Sequence, residues 1–182
     1  MQIISLSSLL EVGTSEVEVF DYLSSFLCEK NNDVESFLHN NAIENEKRSF
    51  SRTFLVIDDE IGEMQDEIIG YFTLLIKEFT FQEGVTGTKR NKVSYGRNAE
   101  GFNSILIAQL GRADKYKGVV KGEEILKFAL HNCEIICNLA ALGIVCVEFD
   151  PIDKLVKFYE SQNFKILQQN KNTDKLLAYI KL

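Results

Sequence analysis

Lys115, Lys117 and Lys121 are interleaved with Gly118 and Gly122 in the run Ile105–Leu126, ILIAQLGRADKYKGVVKGEEIL. The run reads as an apolar strand, a short basic turn and the start of an amphipathic helix. Unpaired backbone N–H groups and the positive end of a helix dipole then meet at one point, beside three ammonium groups. Such a point suits a phosphate or pyrophosphate. The other residues of chemical interest are few. Cys133 and Cys137 lie one helical turn apart in an apolar pattern and read as two buried thiols. A zinc site needs further ligands, and His39 and His131 lack finger-like spacing, so no metal is expected.

The chain of 182 residues has one proline and 45% hydrophobic residues, which suits one packed domain spanning 1–182. No apolar run reaches the roughly 20 residues of a membrane span. The start, MQIISLSSLLEV, lacks the basic residues and cleavage site of a signal peptide, so a cytoplasmic location is expected. The net charge of −7 argues against a general nucleic-acid binder. The charge is uneven, however. Glu11–Asp33 and Asp58–Glu67 are acidic, whereas Lys89, Arg90, Lys92 and Arg97 form a local basic loop.

The elements that must position these residues follow from periodicity. Residues 3–9 read as a strand. Residues 15–29 carry a helical apolar stripe of Val19, Phe20, Leu23, Phe26 and Leu27, with Thr14 or Ser15 as cap, and Asp33 caps a second helix. Arg52–Ile57 and Ile68–Phe79 read as a hairpin with an acidic turn. Residues 82–102 form a long irregular loop, a length that points to function or mobility. A strand over 103–111, a helix over 122–141 ended by Gly143 and a strand over 144–149 make a parallel crossover. Pro151 opens a helix to about Gln162, and 164–167 with 175–182 form a closing hairpin. The fold class is α+β: a mostly antiparallel twisted sheet of about seven strands, with one parallel crossover and helices on both faces.

Two motifs set in this order resemble the GNAT N-acetyltransferase superfamily, over nearly the whole chain and most strongly from Tyr71 to Phe164. Lys117-Gly118-Val119-Val120-Lys121-Gly122 is similar to that family's acyl-CoA loop, Q/R-x-x-G-x-G/A, with Lys117 for Gln or Arg and Val120 for the middle glycine. Phe158-Tyr159-Glu160-Ser161-Gln162-Asn163-Phe164 resembles its Y-E-K-x-G-F signature, with Asn163 in the left-handed turn where glycine is common. Ile152 stands where the family often has asparagine.

The resemblance implies acetyl-CoA as co-substrate. Backbone groups of Leu110, Gly111 and Arg112 would meet the pantetheine arm. The N–H groups of Lys117, Gly118, Val119, Val120, Lys121, Gly122 and Glu123 would hold the pyrophosphate. Tyr159 would be the general acid for the leaving thiolate, and the N–H of Leu110 would polarise the carbonyl. Residues 103–111 carry no carboxylate, so Glu148 is the candidate base, ahead of Asp150 and Glu78 and beside ordered water.

The implied reaction is acetyl transfer to a primary amine of a small molecule, peptide or protein. Three segments, Gly70–Leu74, Lys89–Lys92 and Leu106–Leu110, are also similar to a toxin-like branch that acts on aminoacyl-tRNA. That branch would bring tRNA to the Lys89–Arg97 loop and allow an antitoxin partner. A degenerate, non-catalytic acyl-CoA-binding protein is the remaining alternative. The apolar strand Leu176–Leu182 could pair across a homodimer or lie inside the sheet.

Overall fold

The computed structural model describes residues 1–12, 15–58 and 67–182. Its elements are β1 (Gln2–Ser5), α1 (Leu6–Glu11), α2 (Glu16–Ser24), α3 (Asn32–Asn40), α4 (Ala42–Lys47), β2 (Arg52–Ile57), β3 (Ile68–Thr80) and α5 (Gly87–Ser94). These are followed by β4 (Gly101–Arg112), a 3-10 turn at Asp114–Tyr116, α6 (Gly122–Ala140), β5 (Ile144–Phe149), α7 (Asp153–Ser161), β6 (Lys165–Gln169) and β7 (Leu176–Lys181). The strands form one seven-stranded sheet in the order β1-β2-β3-β4-β5-β7-β6. β4 and β5 pair in parallel at Ile105↔Val145, Leu106↔Cys146 and Ile107↔Val147. β1–β2, β2–β3, β5–β7 and β6–β7 are antiparallel.

The chain divides into two compact units, Met1–Leu75 with Gln109–His131 and Ile76–Ala108 with Asn132–Leu182. The first unit has a core of Leu6, Leu23, Phe26, Leu38, Leu55 and Tyr71. Phe26 meets the Tyr71 ring edge-on at 5.2 Å, and the Tyr71 hydroxyl donates to the Val34 carbonyl, so α3 is tied to β3. A Cβ on Gly111 would meet Val34, Tyr71 and Phe26, whereas one on Gly70 would meet Ile125 of α6. Successive strand residues face opposite sides, so α3 and α6 cover opposite faces of β3. In the second unit, β5 is buried except at Glu148, with Val145, Cys146 and Val147 at 1% exposure or less.

Local chemistry moves several boundaries from those the sequence suggests. The first strand stops at Ser5, because its hydroxyl accepts from the Ser8 N–H and caps α1 instead. Four helices, not two, separate β1 from β2. Ser15 closes a capping box with Glu18 on α2; Thr14 lies outside the described residues. Asn31, not Asp33, caps α3. The acidic turn between β2 and β3 lies largely outside the described residues.

The loop expected over 82–102 contains α5, capped by Thr86 and closed by Tyr95 at φ 57°. Ala141 at φ 53°, not Gly143, takes the left-handed turn after α6. Pro151 precedes α7 and is not within it, since Ile152 is the N-cap. β7 pairs with β5 on one side and β6 on the other, so it has no free edge for a dimer.

Candidate active site

The first unit holds Leu110–Glu123 as one continuous piece. The Ala113 N–H donates to the Ile69 carbonyl at 2.9 Å, toward β3. Backbone groups alternate along a strand, so those of Leu110 and Arg112 face away from β3. Beyond Arg112 the chain leaves the sheet. The Asp114 N–H donates to Leu27 O, and the Glu29 N–H donates to the Asp114 carboxylate, both at 2.9 Å or less. The segment between α2 and α3 is thereby pinned to the start of the turn.

The turn itself is more self-satisfied than its glycines suggest. The N–H groups of Lys117, Val119 and Val120 donate to Asp114 O, Tyr116 O and Tyr116 O. The Lys121 N–H donates to the Glu124 carboxylate at 2.8 Å. Lys117 and Val120 form an isolated parallel bridge, which turns the Gly118 N–H toward the Val120 carbonyl; the Gly122 N–H has no partner among the described residues. Gly118 has φ +87°, and a Cβ built there would point into open space.

Val120 is 8% exposed while Val119 is 76% exposed. The valine in the usual glycine position therefore turns inward and packs. Arg112 fixes it there: its Nη1 donates to the Val120 carbonyl at 2.7 Å. The Arg112 Nε is buried without a partner among the described residues. This guanidinium role was not legible, because Arg112 reads only as a strand end.

Charge around the turn is mixed. Lys115 pairs with Glu67, which also accepts from the Tyr116 hydroxyl. These contacts hold the Glu67 carboxyl below its ordinary range, the Lys115 hydrogen bond first. Lys121 pairs with Glu123 at 3.6 Å. A cleft of about 430 Å³ borders the turn, lined by Lys30, Glu67, Ala113, Asp114, Tyr116 and Lys117 among others.

Tyr159, Glu148 and the basic helix α5 belong to the second unit. Tyr159 sits in the last turn of α7 at 9% exposure. Its ring packs on Phe149, Phe158 and Phe164 with centroids 4.6, 5.0 and 5.5 Å away. Asn163 at φ 65° provides the left-handed turn that brings Phe164 back onto it. The Tyr159 hydroxyl has no hydrogen-bond partner among the described residues, and burial pushes its pKa up to about 12.

Glu148 precedes Phe149 on β5, so it points to the face opposite the one that carries Tyr159. It is paired with Lys77 Nζ at 2.7 Å. Lys77 also lies 4.7 Å over the Phe79 ring. Lys77, Glu148 and Glu78 line one small cavity of about 160 Å³ with Gln168 and Asn170. Glu78 and Asp150 are exposed, and neither is brought to Tyr159 by a recorded contact. Lys77 gave no sequence signal, because its partner lies 71 residues away.

On α5, Arg90 spends its guanidinium on Val85 O and Ala99 O at 3.0 Å each, and Lys89 reaches Leu167 O at 3.4 Å. Two cations of the basic loop therefore hold the loop's own path. Cys28, Cys133 and Cys146 are buried and Cys137 half-buried, all as free thiols.

No family model and no curated protein sequence matches the chain. Solved structures do share its architecture. A Tyr→Phe mutant of the toxin AtaT, bound to the C-terminus of the antitoxin AtaR and acetyl-CoA, is 16% identical over 99% of this chain and 92% of its own, with a TM-score of 0.69. A Tyr→Phe mutant of KacT is 16% identical over 100% and 95%, with a TM-score of 0.69. AtaT complexed with acetyl-methionyl-tRNAfMet is 18% identical over 85% of each chain, with a TM-score of 0.64. The chain has the GNAT fold. The Lys117–Gly122 turn joins β4 to α6, and Tyr159 lies in the last turn of the helix after β5.

Proposed function

We propose that the chain is an acetyl-CoA-dependent N-acetyltransferase, one domain over 1–182, acting on a primary amine in the cytoplasm. The observation that carries this reading is Tyr159: a buried ring clamped by three aromatic rings, with an unpartnered hydroxyl, at the position of a GNAT signature. Such a group stays protonated at working pH.

The residues at the end of β4 fit the coenzyme. Leu110 and Arg112 offer backbone groups on the side away from β3, as an added pseudo-strand needs. Gly122 offers its backbone N–H at the start of α6, and Lys117 lies in the turn before it. Glu123 and Glu124 in the first turn of α6 oppose a pyrophosphate, so the hold rests on backbone N–H groups at the start of that helix. Arg112 keeps the turn in shape through Val120.

The amine nitrogen attacks the thioester carbonyl carbon. As the C–N bond forms and the C–S bond breaks, Tyr159 gives its proton to the leaving sulfur. The amine's proton passes to water, and Glu148, on the face of β5 opposite Tyr159, can receive it only along such a water chain.

The basic helix α5 and the likeness to AtaT favour aminoacyl-tRNA as a second reading of the acceptor. The test is thiol release from acetyl-CoA with polyamines, peptides and aminoacyl-tRNA as acceptors. Coenzyme binding by calorimetry is expected, and its absence sinks both readings. Growth of cells expressing abundant wild-type protein counts against the tRNA reading alone.

A further inference from the structure

Three lysines from three elements line a third cavity, of about 590 Å³, that the acetyl-transfer reading does not use. Lys92 comes from α5, Lys165 from β6 and Lys181 from β7, with Asn163, Tyr179 and Ile180 completing the wall. No carboxylate lines it. Lys47, Lys77, Lys115, Lys121 and Lys171 each pair with a glutamate. Lys92, Lys165 and Lys181 have no acidic partner among the described residues. On a chain with 27 acidic and 20 basic residues, three unpaired ammonium groups around one concavity are a local reversal of charge.

The cavity is also partly preorganised. Lys181 Nζ lies 4.9 Å over the ring of Tyr95, which anchors one of the three charges. Tyr95 is itself fixed as the left-handed cap of α5 and is 77% exposed, so its ring is open to a flat partner. Lys165 and Tyr179 are paired across β6–β7, which sets the floor. Lysines act as compact point charges and suit phosphate oxygens.

We propose that this cavity is a binding site for a ligand carrying several phosphate groups. The lysines take the phosphates, and the Tyr95 ring takes a base where the ligand has one. Two sources share this chemistry, a free oligophosphate or nucleotide and the backbone of a nucleic-acid strand.

The test is calorimetric titration of the full chain with inorganic tripolyphosphate, ATP and a short single-stranded oligonucleotide, at low and raised salt. The expected result is salt-sensitive binding that falls on the order of tenfold or more in a Lys92→Gln, Lys165→Gln, Lys181→Gln variant. Binding of tripolyphosphate or ATP identifies a free phosphate ligand, and binding of the oligonucleotide alone identifies a strand. Tyr95→Ala should weaken ATP and oligonucleotide more than tripolyphosphate. A control variant, Lys127→Gln, Lys154→Gln, Lys157→Gln, removes equal charge from α6 and α7 and should bind as wild type. No binding of any probe overturns the site, and so does equal loss in the control. Retention in the cavity variant also overturns it, by placing the phosphates at the turn before α6. All six lysines are exposed, so both variants should fold, which thermal melting verifies.

Discussion

Lys77 Nζ stands 2.7 Å from a carboxylate oxygen of Glu148, on the face of β5 opposite the Tyr159 ring. The pair is partly exposed, at 42% and 21%, so it contributes at most about 1 kcal/mol to stability. Its chemistry matters more. A carboxylate that holds one ammonium group in place can hold another. Glu148→Gln is therefore expected to lower kcat/KM for a cationic amine by tenfold or more, about 1.4 kcal/mol in barrier. Coenzyme affinity and melting temperature should stay close to wild type. Full turnover in this variant removes Glu148 from the reaction.

Tyr159→Phe separates the hydroxyl from the ring. The three aromatic contacts survive the change, and the hydroxyl has no partner to lose, so stability should stay within about 1 kcal/mol of wild type. Turnover should fall tenfold or more, with coenzyme affinity little changed. Steady-state thiol release and a calorimetric titration check the two halves. Unchanged turnover would falsify the acid assignment.

Val120 distinguishes two accounts of the coenzyme turn. If glycine were simply missing there, Val120→Gly would improve binding. The side chain is buried, however, and its carbonyl is held by Arg112, so the valine is part of the turn's frame. Val120→Gly is expected to cost about 2–3 kcal/mol of stability through lost burial and added backbone freedom. It should weaken acetyl-CoA binding, and Arg112→Met should weaken it in the same direction. Tighter binding in Val120→Gly would show that the valine blocks the pyrophosphate.

These residues mark how far the sequence could be read. Ile144–Phe149 was found to the residue, because a short apolar run bounded by Gly143 and Asp150 has few other uses. Helix α6 was found to within one residue from its apolar face. Helix α5 was missed because Val93 is its one buried residue, and its stability comes from Thr86 and Arg90 contacts that no periodicity records. The self-bonded turn was missed for a related reason. Glycine content reports what a backbone can do, whereas Tyr116 O and Glu124 decide which N–H groups are already engaged. Pairs such as Lys77–Glu148 depend on sheet order, which joins residues 71 apart.

Alkaline pH should expose the buried acids. Burial pushes the thiols of Cys133 and Cys146 from 9.0 up to about 12, and the Tyr159 phenol from 10.0 up to about 12. Burial also raises Tyr71. In each case the folded chain keeps a proton that the unfolded chain releases. The sign follows from linkage: these groups contribute stability that is fully present below pH 9 and is lost as pH rises from 9 toward 12. Urea midpoints measured in steps across that range should decline steeply. Cys133→Ala with Cys146→Ala lowers the baseline through lost packing. It should also flatten the decline between pH 9 and 10, leaving the tyrosines to govern the remainder. A slope identical to wild type in the double variant would mean that both thiols ionise in the folded chain as they do in water, and would remove them from the pH dependence.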